Sequence, residues 1–276
     1  MPHTTNTAAP HQRPTYLSRA LIGMVHVGAT PGSPRAALSI AHLAANAAAE
    51  AKILKDAGFD AVMIENMHDR PYVNAPHAAT TVVAMTAVAL AVRSAVGDAF
   101  PLGIQILSRG EKEALAVALA ANFQFIRCEN FVFSHTADEG QMVEAAAGPL
   151  LRYRQSIGAA HIRVLTDIQK KHASHAQTSD LSVADWAHGA EFFLSDGLIV
   201  TGPATGVPTS TSDLSAAKHA VGGRLPILVG SGATPQQLAT LFTYADAVIV
   251  GSALKHGGHW ENAVDPARAA AFVAAK

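Results

Sequence analysis

Eight short runs of aliphatic and β-branched residues recur along the chain, each followed by a longer Ala- and Leu-rich segment. This strict alternation is the pattern of parallel strands joined by helices. The runs lie at 21–26, 61–66, 102–107, 125–129, 162–168, 198–201, 227–230 and 247–250. Helical segments fit between them at 38–55, 78–96, 111–121, 139–156, 183–194, 213–221 and 235–244, and a last one at 266–275 can cover the eighth strand. Eight such units in 276 residues predict an α/β chain folded as a (β/α)8 TIM barrel of the phosphate-binding type, not an open doubly wound sheet.

A loose internal repeat has the same phase. Residues 58–66 resemble 122–130, and 195–202 resemble 244–252. These are the second, fourth, sixth and eighth strands, each entered by a tight turn and left at a polar residue, as quarter-barrel units would be.

Composition narrows the function. Hydrophobic residues make up 49% of the chain and charged ones 15%, which suits a compact enzyme. A formal net charge of −1 and no basic stripe argue against a nucleic-acid partner. The single cysteine, Cys128, allows no internal disulfide. The most apolar run, 78–92, is shorter than the roughly 20 residues that span a bilayer and reads as a buried helix. No integral membrane segment and a cytoplasmic location are expected. Residues 1–17 carry three prolines and no apolar periodicity, and are expected to form a disordered tail ahead of one barrel domain at 18–276.

Gly230-Ser231-Gly232 ends the seventh strand, and Thr234-Pro235 then opens a helix. Gly251-Ser252 ends the eighth, with room for one helical turn after it. Glycines let backbone approach an anion, and free amides at a helix start point at it. Phosphate sites in such barrels use these two loops. Thr201-Gly202, after the sixth strand, adds a candidate donor. The plainer alternative is that the glycines only permit tight turns.

Alternation along each strand decides which side chains enter the barrel. It sends in His26, Glu65, Gln105, Arg127, Glu129 and Asp167, where a purely structural barrel would place Val, Ile or Leu. Cys128 should face the helices. Converging carboxylates perturb one another's pKa values, as acid/base sites do, although an internal ion-pair network with Arg127 and Arg163 is the alternative. The loop after the fifth strand adds Lys170, Lys171, His172 and His175. A desolvated lysine there is a candidate nucleophile or base, and a cationic one a candidate stabiliser of developing negative charge. The two histidines leave a divalent metal open, without a closed ligand set. Trp186 and Trp260 read as packing residues.

These residues resemble the BtpA/SgcQ family. The matching stretches include Leu21 to His26, then 58–72 with its string Glu65-Asn66-Met67-His68-Asp69, residues 133–140, Asp167 to His172, 200–206, 229–232 and 250–255. The likeness runs from about Leu21 to Lys276. One departure is Asn122-Phe123-Gln124, where relatives carry a small residue and Asp before the fourth strand. The resemblance implies a ribulose-phosphate-binding type of barrel. The family's name comes from photosystem I biogenesis, and no agreed reaction belongs to it.

The expectation is an enzyme acting on a small phosphorylated, sugar-like compound by isomerisation, lyase chemistry or glycosyl-bond cleavage. Glu65, Glu129, Asp167, Lys170, His172 and His26 are the catalytic candidates. Gly230, Ser231, Gly232, Gly251, Ser252, Thr201 and Gly202 are expected to hold phosphate, and Asn66, Gln105, Arg127 and Lys171 to bind substrate. A homo-oligomer is expected. The rivals are a non-catalytic assembly factor and a flavin enzyme using the same loops.

Overall fold

The computed structural model describes residues 14–202 and 207–276; residues 1–13, most of the expected tail, and 203–206 lie outside it. In chain order the strands are β1 (Ala20–His26), β2 (Ala61–Glu65), β3 (Leu102–Gln105), β4 (Phe125–Cys128), β5 (His135–Ala137), β6 (Gly140–Met142), β7 (Arg163–Ile168), β8 (Ala173–Ser174), β9 (Gly197–Val200), β10 (Ile227–Val229) and β11 (Ala247–Val250). The α-helices are α1 (Ile40–Ala57), α2 (Ala79–Val96), α3 (Glu111–Ala120), α4 (Ala147–Ser156), α5 (Val183–Phe192), α6 (Thr211–Val221), α7 (Leu238–Tyr244) and α8 (Pro266–Ala274). Strands β1, β2, β3, β4, β7, β9, β10 and β11 close a barrel in that order, every pair parallel.

The internal repeat has a structural meaning. Asp60, Gln124, Asp196 and Asp246 each stand just before β2, β4, β9 or β11, the second, fourth, sixth and eighth strands of the barrel. Each accepts a hydrogen bond from an amide in the first two residues of the preceding barrel strand: Leu21 (2.7 Å), Leu102 (2.9 Å), Val164 (2.9 Å) and Ile227 (2.9 Å). Four otherwise orphaned amides at the barrel floor are thereby satisfied. Gln124, the one departure from the Asp pattern, reaches the same amide with its carbonyl.

Period-two alternation splits the core into two layers. Leu21, Val25, Ile64, Ile126, Cys128, Val164 and Ile168 face the helices. Inside, Ile22, Met24, Met63, Phe125, Leu165, Ile199, Leu228 and Ile249 fill the lower barrel. Gly103 makes room for one of them: a Cβ there would lie 2.0 Å from Phe125 Cε2.

Two boundaries differ from expectation. Thr15–Leu17, expected to belong to the tail, form a 3-10 turn; Leu17 is fully buried in the floor and Tyr16 stacks on Phe125 with ring centroids 6.0 Å apart. The helix expected at 139–156 begins at Ala147; before it, β5 and β6 form a hairpin turning at Asp138 and Glu139, and β8 pairs on its other edge. Gly140, at φ 111°, accepts the backbone that turn requires.

Helix α2 is long and apolar enough by composition to cross a membrane. In this fold it is a barrel helix that buries Met85, Val88 and Val92. Its Arg93 donates to the carbonyls of Gly97 (2.8 Å), Phe100 (2.7 Å) and Asn122 (2.6 Å).

Candidate functional site

At the C-terminal ends of the barrel strands lies a cavity of about 570 Å³, within the range of small-molecule sites. Its wall has two arcs. Strands β1 to β4 and β7 supply His26, Glu65, Gln105, Arg127, Glu129 and Asp167, while the loops after β10 and β11 supply Gly230, Ser231, Gly232, Gly251 and Ser252. Lys170, Lys171 and His172 close the cavity from the loop after β7.

Most of the charged arc is internally paired. Arg127 grips Asp167 through two hydrogen bonds, Nε to Oδ2 and Nη2 to Oδ1, each 3.0 Å. Lys170 Nζ lies 3.4 Å from Glu129 and 3.5 Å from Glu139 of the hairpin, and Glu129 also accepts weakly from the Arg109 amide (3.4 Å). Burial alone would push the Lys170 ammonium down, but its two carboxylates hold its pKa above the ordinary value.

Two groups are left over. Among the described residues, the Glu65 carboxyl and the Lys171 amine take part in no hydrogen bond or ion pair, yet both line the cavity. Burial raises the Glu65 pKa against the pull of Arg127 and Lys171. Burial and then the adjacent Arg127 guanidinium lower that of Lys171. Both shifts favour the neutral forms. The Gln105 carbonyl oxygen is likewise buried without a partner.

His26 is a neutral ring. Its Nδ1 lies 2.8 Å from the Trp260 carbonyl, which can only accept, so Nδ1 carries the proton and Nε2 the lone pair. Burial, and next the Lys255 charge, push its pKa down to about 3.

The glycine arc offers backbone donors. Among the described residues, the amides of Gly232, Ala233, Ser252 and Ala253 donate to no backbone carbonyl. Thr234 and Gln237 brace the first loop, the Thr234 amide donating to Gln237 Oε1 at 3.1 Å. Gly232 sits at φ 73°, and a Cβ there would meet the Val207 carbonyl oxygen at 2.1 Å, so glycine is required.

Some expected site residues stand elsewhere. Asn66 is out of phase with Glu65 and does not line the cavity; it accepts from the Leu107 amide (2.7 Å) and donates to Asp69 (2.9 Å), bracing the rim. Thr201 and Gly202 pack behind Gly230 and Ser231, where the Gly202 amide donates to Ser231 Oγ at 3.2 Å. His175 is turned away, its Nε2 bonded to the Lys170 carbonyl (2.9 Å). Among the described residues no three His, Cys, Asp or Glu side chains are grouped to hold a metal ion.

Sequence reasoning missed Trp260 and Glu139, and left Arg70, in the loop after the second strand, open between a ligand contact and a local cap. Trp260 was expected in the core, but it lines the cavity with Arg70 stacked on its ring at 4.5 Å. Arg70 also pairs with Glu261, tying the loop after β2 to the loop after β11. Only the shared Glu65-to-Tyr72 string hinted at this rim.

Fold and cavity define a (β/α)8 barrel with a small-molecule-sized cleft at the C-terminal ends of its strands. The chain belongs to the BtpA family, whose model matches residues 17–276. An uncharacterised mitochondrial protein of Caenorhabditis elegans is 42% identical over 93% of this chain and 92% of its own length. The photosystem I biogenesis protein BtpA of Synechocystis is 34% identical over 92% of this chain and 87% of its own. Among solved structures, the phosphoribosyl anthranilate isomerase of Thermus thermophilus shares the fold, with a TM-score of 0.54 at 13% identity over 93% of this chain and 97% of that one. A native KDPGal structure does so with a TM-score of 0.56 at 19% identity, covering 92% and 93%.

Proposed function

We propose that this protein is an enzyme acting on a small phosphorylated, sugar-like compound by acid/base chemistry, as an isomerase, a lyase or a glycosyl-bond-cleaving enzyme. The observation that carries this reading is that one cavity is lined by two glycine loops, whose amides among the described residues donate to no backbone carbonyl, and by an unpaired buried carboxyl, Glu65. The amides would hold the phosphate, with Ser252 adding a hydroxyl. Glu65 would give and take the proton, because burial without a paired cation raises its pKa above the ordinary carboxyl value. Asp167, Glu129, Arg127 and Lys170 would set the field around it, while His26 Nε2 and Gln105 would orient hydroxyl groups. His172, at the rim, would meet the ligand's outer end. A cytoplasmic homo-oligomer is part of the same proposal, although the worm relative's name places that protein in mitochondria.

A second reading is favoured by the name of the Synechocystis relative: an assembly factor that senses a metabolite without turning it over. A thermal-shift screen against sugar phosphates, nucleotides and inorganic phosphate, with and without Mg²⁺ or Zn²⁺, separates the two. A ligand at a hundred times its Kd should add about 2.7 kcal/mol of stability, and Ser252→Asp should abolish the gain. No shift from any phosphorylated compound would leave the assembly-factor reading standing.

A further inference from the structure

We propose that Lys171 is an amine nucleophile that condenses with the carbonyl group of a phosphorylated aldehyde or ketone held in the cavity. The inference rests on the phosphate-binding reading above and narrows its substrate class to carbonyl compounds.

Lys170 and Lys171 are neighbours in sequence with opposite surroundings. The first is held by Glu129 and Glu139 and is thereby kept as a cation. The second has no carboxylate within ion-pairing distance among the described residues and is partly buried beside the Arg127 guanidinium. A lysine desolvated next to another cation is the setting in which the free amine is populated near neutral pH. Arg127 is itself anchored by Asp167, so the cation next to Lys171 has a fixed place.

The backbone separates the two lysines. Gln169 at φ 52° and His172 at φ 55° flank the pair in the left-handed region. Neither residue is glycine, and such a conformation persists only where surrounding contacts enforce it. Here it lets consecutive side chains serve different ends, one locked to the hairpin and one lining the cavity.

Glu65 completes the chemistry. It lines the same cavity, and the charges of the two groups act on each other. The neutral Lys171 amine attacks the carbonyl carbon, forming a C–N bond as the C=O π bond opens. One amine proton passes to the oxygen, giving a neutral carbinolamine. Glu65 then donates its proton to the hydroxyl, which leaves as water, and the nitrogen lone pair forms the protonated imine. Glu65 ends as a carboxylate, the form that can remove a proton from the carbon beside the imine.

Pyridoxal 5′-phosphate carries an aldehyde and a phosphate and serves as the probe. Incubation with the full chain, borohydride reduction and peptide mass mapping should place a stoichiometric adduct on Lys171. Inorganic phosphate should suppress it, and Lys171→Met, with its melting temperature checked, should lack it. Adducts spread over exposed lysines such as Lys52 and Lys218, without preference for Lys171, would overturn the proposal. Thermal stabilisation by the probe, reversed by phosphate but with no adduct at Lys171, would overturn it while sparing the phosphate site. If pyridoxal lacking the phosphate labels Lys171 equally well, the nucleophile stands and the phosphate reading falls.

Discussion

The floor and the mouth of this barrel are built from the same strands in the same phase, and their chemistry is opposite. Along β4, inward-facing Phe125 is followed two residues later by Arg127; along β7, Leu165 is followed by Asp167; along β2, Met63 is followed by Glu65. Below that level aliphatic and aromatic side chains fill the interior, closed by Tyr16 and Leu17, with Arg163 at the foot of β7 bonded to Tyr16. Above it the strands project charge into a cavity. Alternation decides only whether a side chain enters the barrel. Depth along the strand decides whether it meets hydrocarbon or an open cleft, and a charge tolerated in the upper layer would have no partner in the lower.

The largest effect should come from setting two mouth carboxylates against each other. Glu65→Gln keeps the shape and removes the transferable proton. With a substrate found by the ligand screen, turnover should fall by about 10²–10⁴-fold, the usual weight of a general acid or base. Its melting temperature should hold or rise, since no partner is stranded. Asp167→Asn should behave oppositely, because it leaves Arg127 buried without its counter-ion, a loss of about 3–5 kcal/mol in stability. Urea unfolding and steady-state kinetics on both variants decide the matter. Equal loss of folding in the two would mean that Glu65 is as structural as Asp167.

A third buried acid sharpens the contrast, because it lies outside the cavity. Glu111 opens α3 with Oε1 buried and unpartnered, and burial pushes its pKa up to about 7. The folded state therefore holds a proton that the unfolded chain releases at its ordinary, lower pKa. Stability from this group is complete in acid and declines as pH rises from about 4.5 to about 7, by about 3 kcal/mol in all. Glu111→Gln should flatten that decline in urea titrations at several pH values and leave ligand binding unchanged. An unaltered slope would place the pH dependence of folding at the mouth instead.

What the sequence disclosed follows from which forces are periodic. The eight barrel strands and their inward residues were legible because a half-buried strand repeats every two residues. By the same rule Asn66, expected to bind substrate, has parity opposite to that of Glu65 and stands off the cavity wall. Strand β6 falls inside the helix expected at 139–156 because the strands of its hairpin are too short to show a period, and Gly140 is the one local sign. The different fates of Lys170 and Lys171 depend on left-handed backbone at Gln169 and His172, which no side-chain pattern announces. Trp260 meets His26 across 234 residues of chain, a contact that single-sequence reasoning has no means to find. Tyr16 and Leu17 plug the floor from a single turn, again without a period.

The smallest effect tests the floor. Gly103 stands on β3 opposite Phe125 of β4, and a methyl group there would fall 2.0 Å from Cε2 and 2.4 Å from Cζ of that ring. Both atoms belong to a fully buried ring stacked on Tyr16, so the ring can yield only by displacing its neighbours. Gly103→Ala should cost about 1–3 kcal/mol as an overpacked core. The double variant Gly103→Ala/Phe125→Leu should recover part of the loss, because the smaller side chain vacates the space the methyl group needs. Ligand binding at the mouth should be unchanged in both, since the strain lies below the charged layer. If Gly103→Ala weakens binding while thermal stability holds, the floor and the mouth are coupled through β3, which carries Gln105 two residues further on.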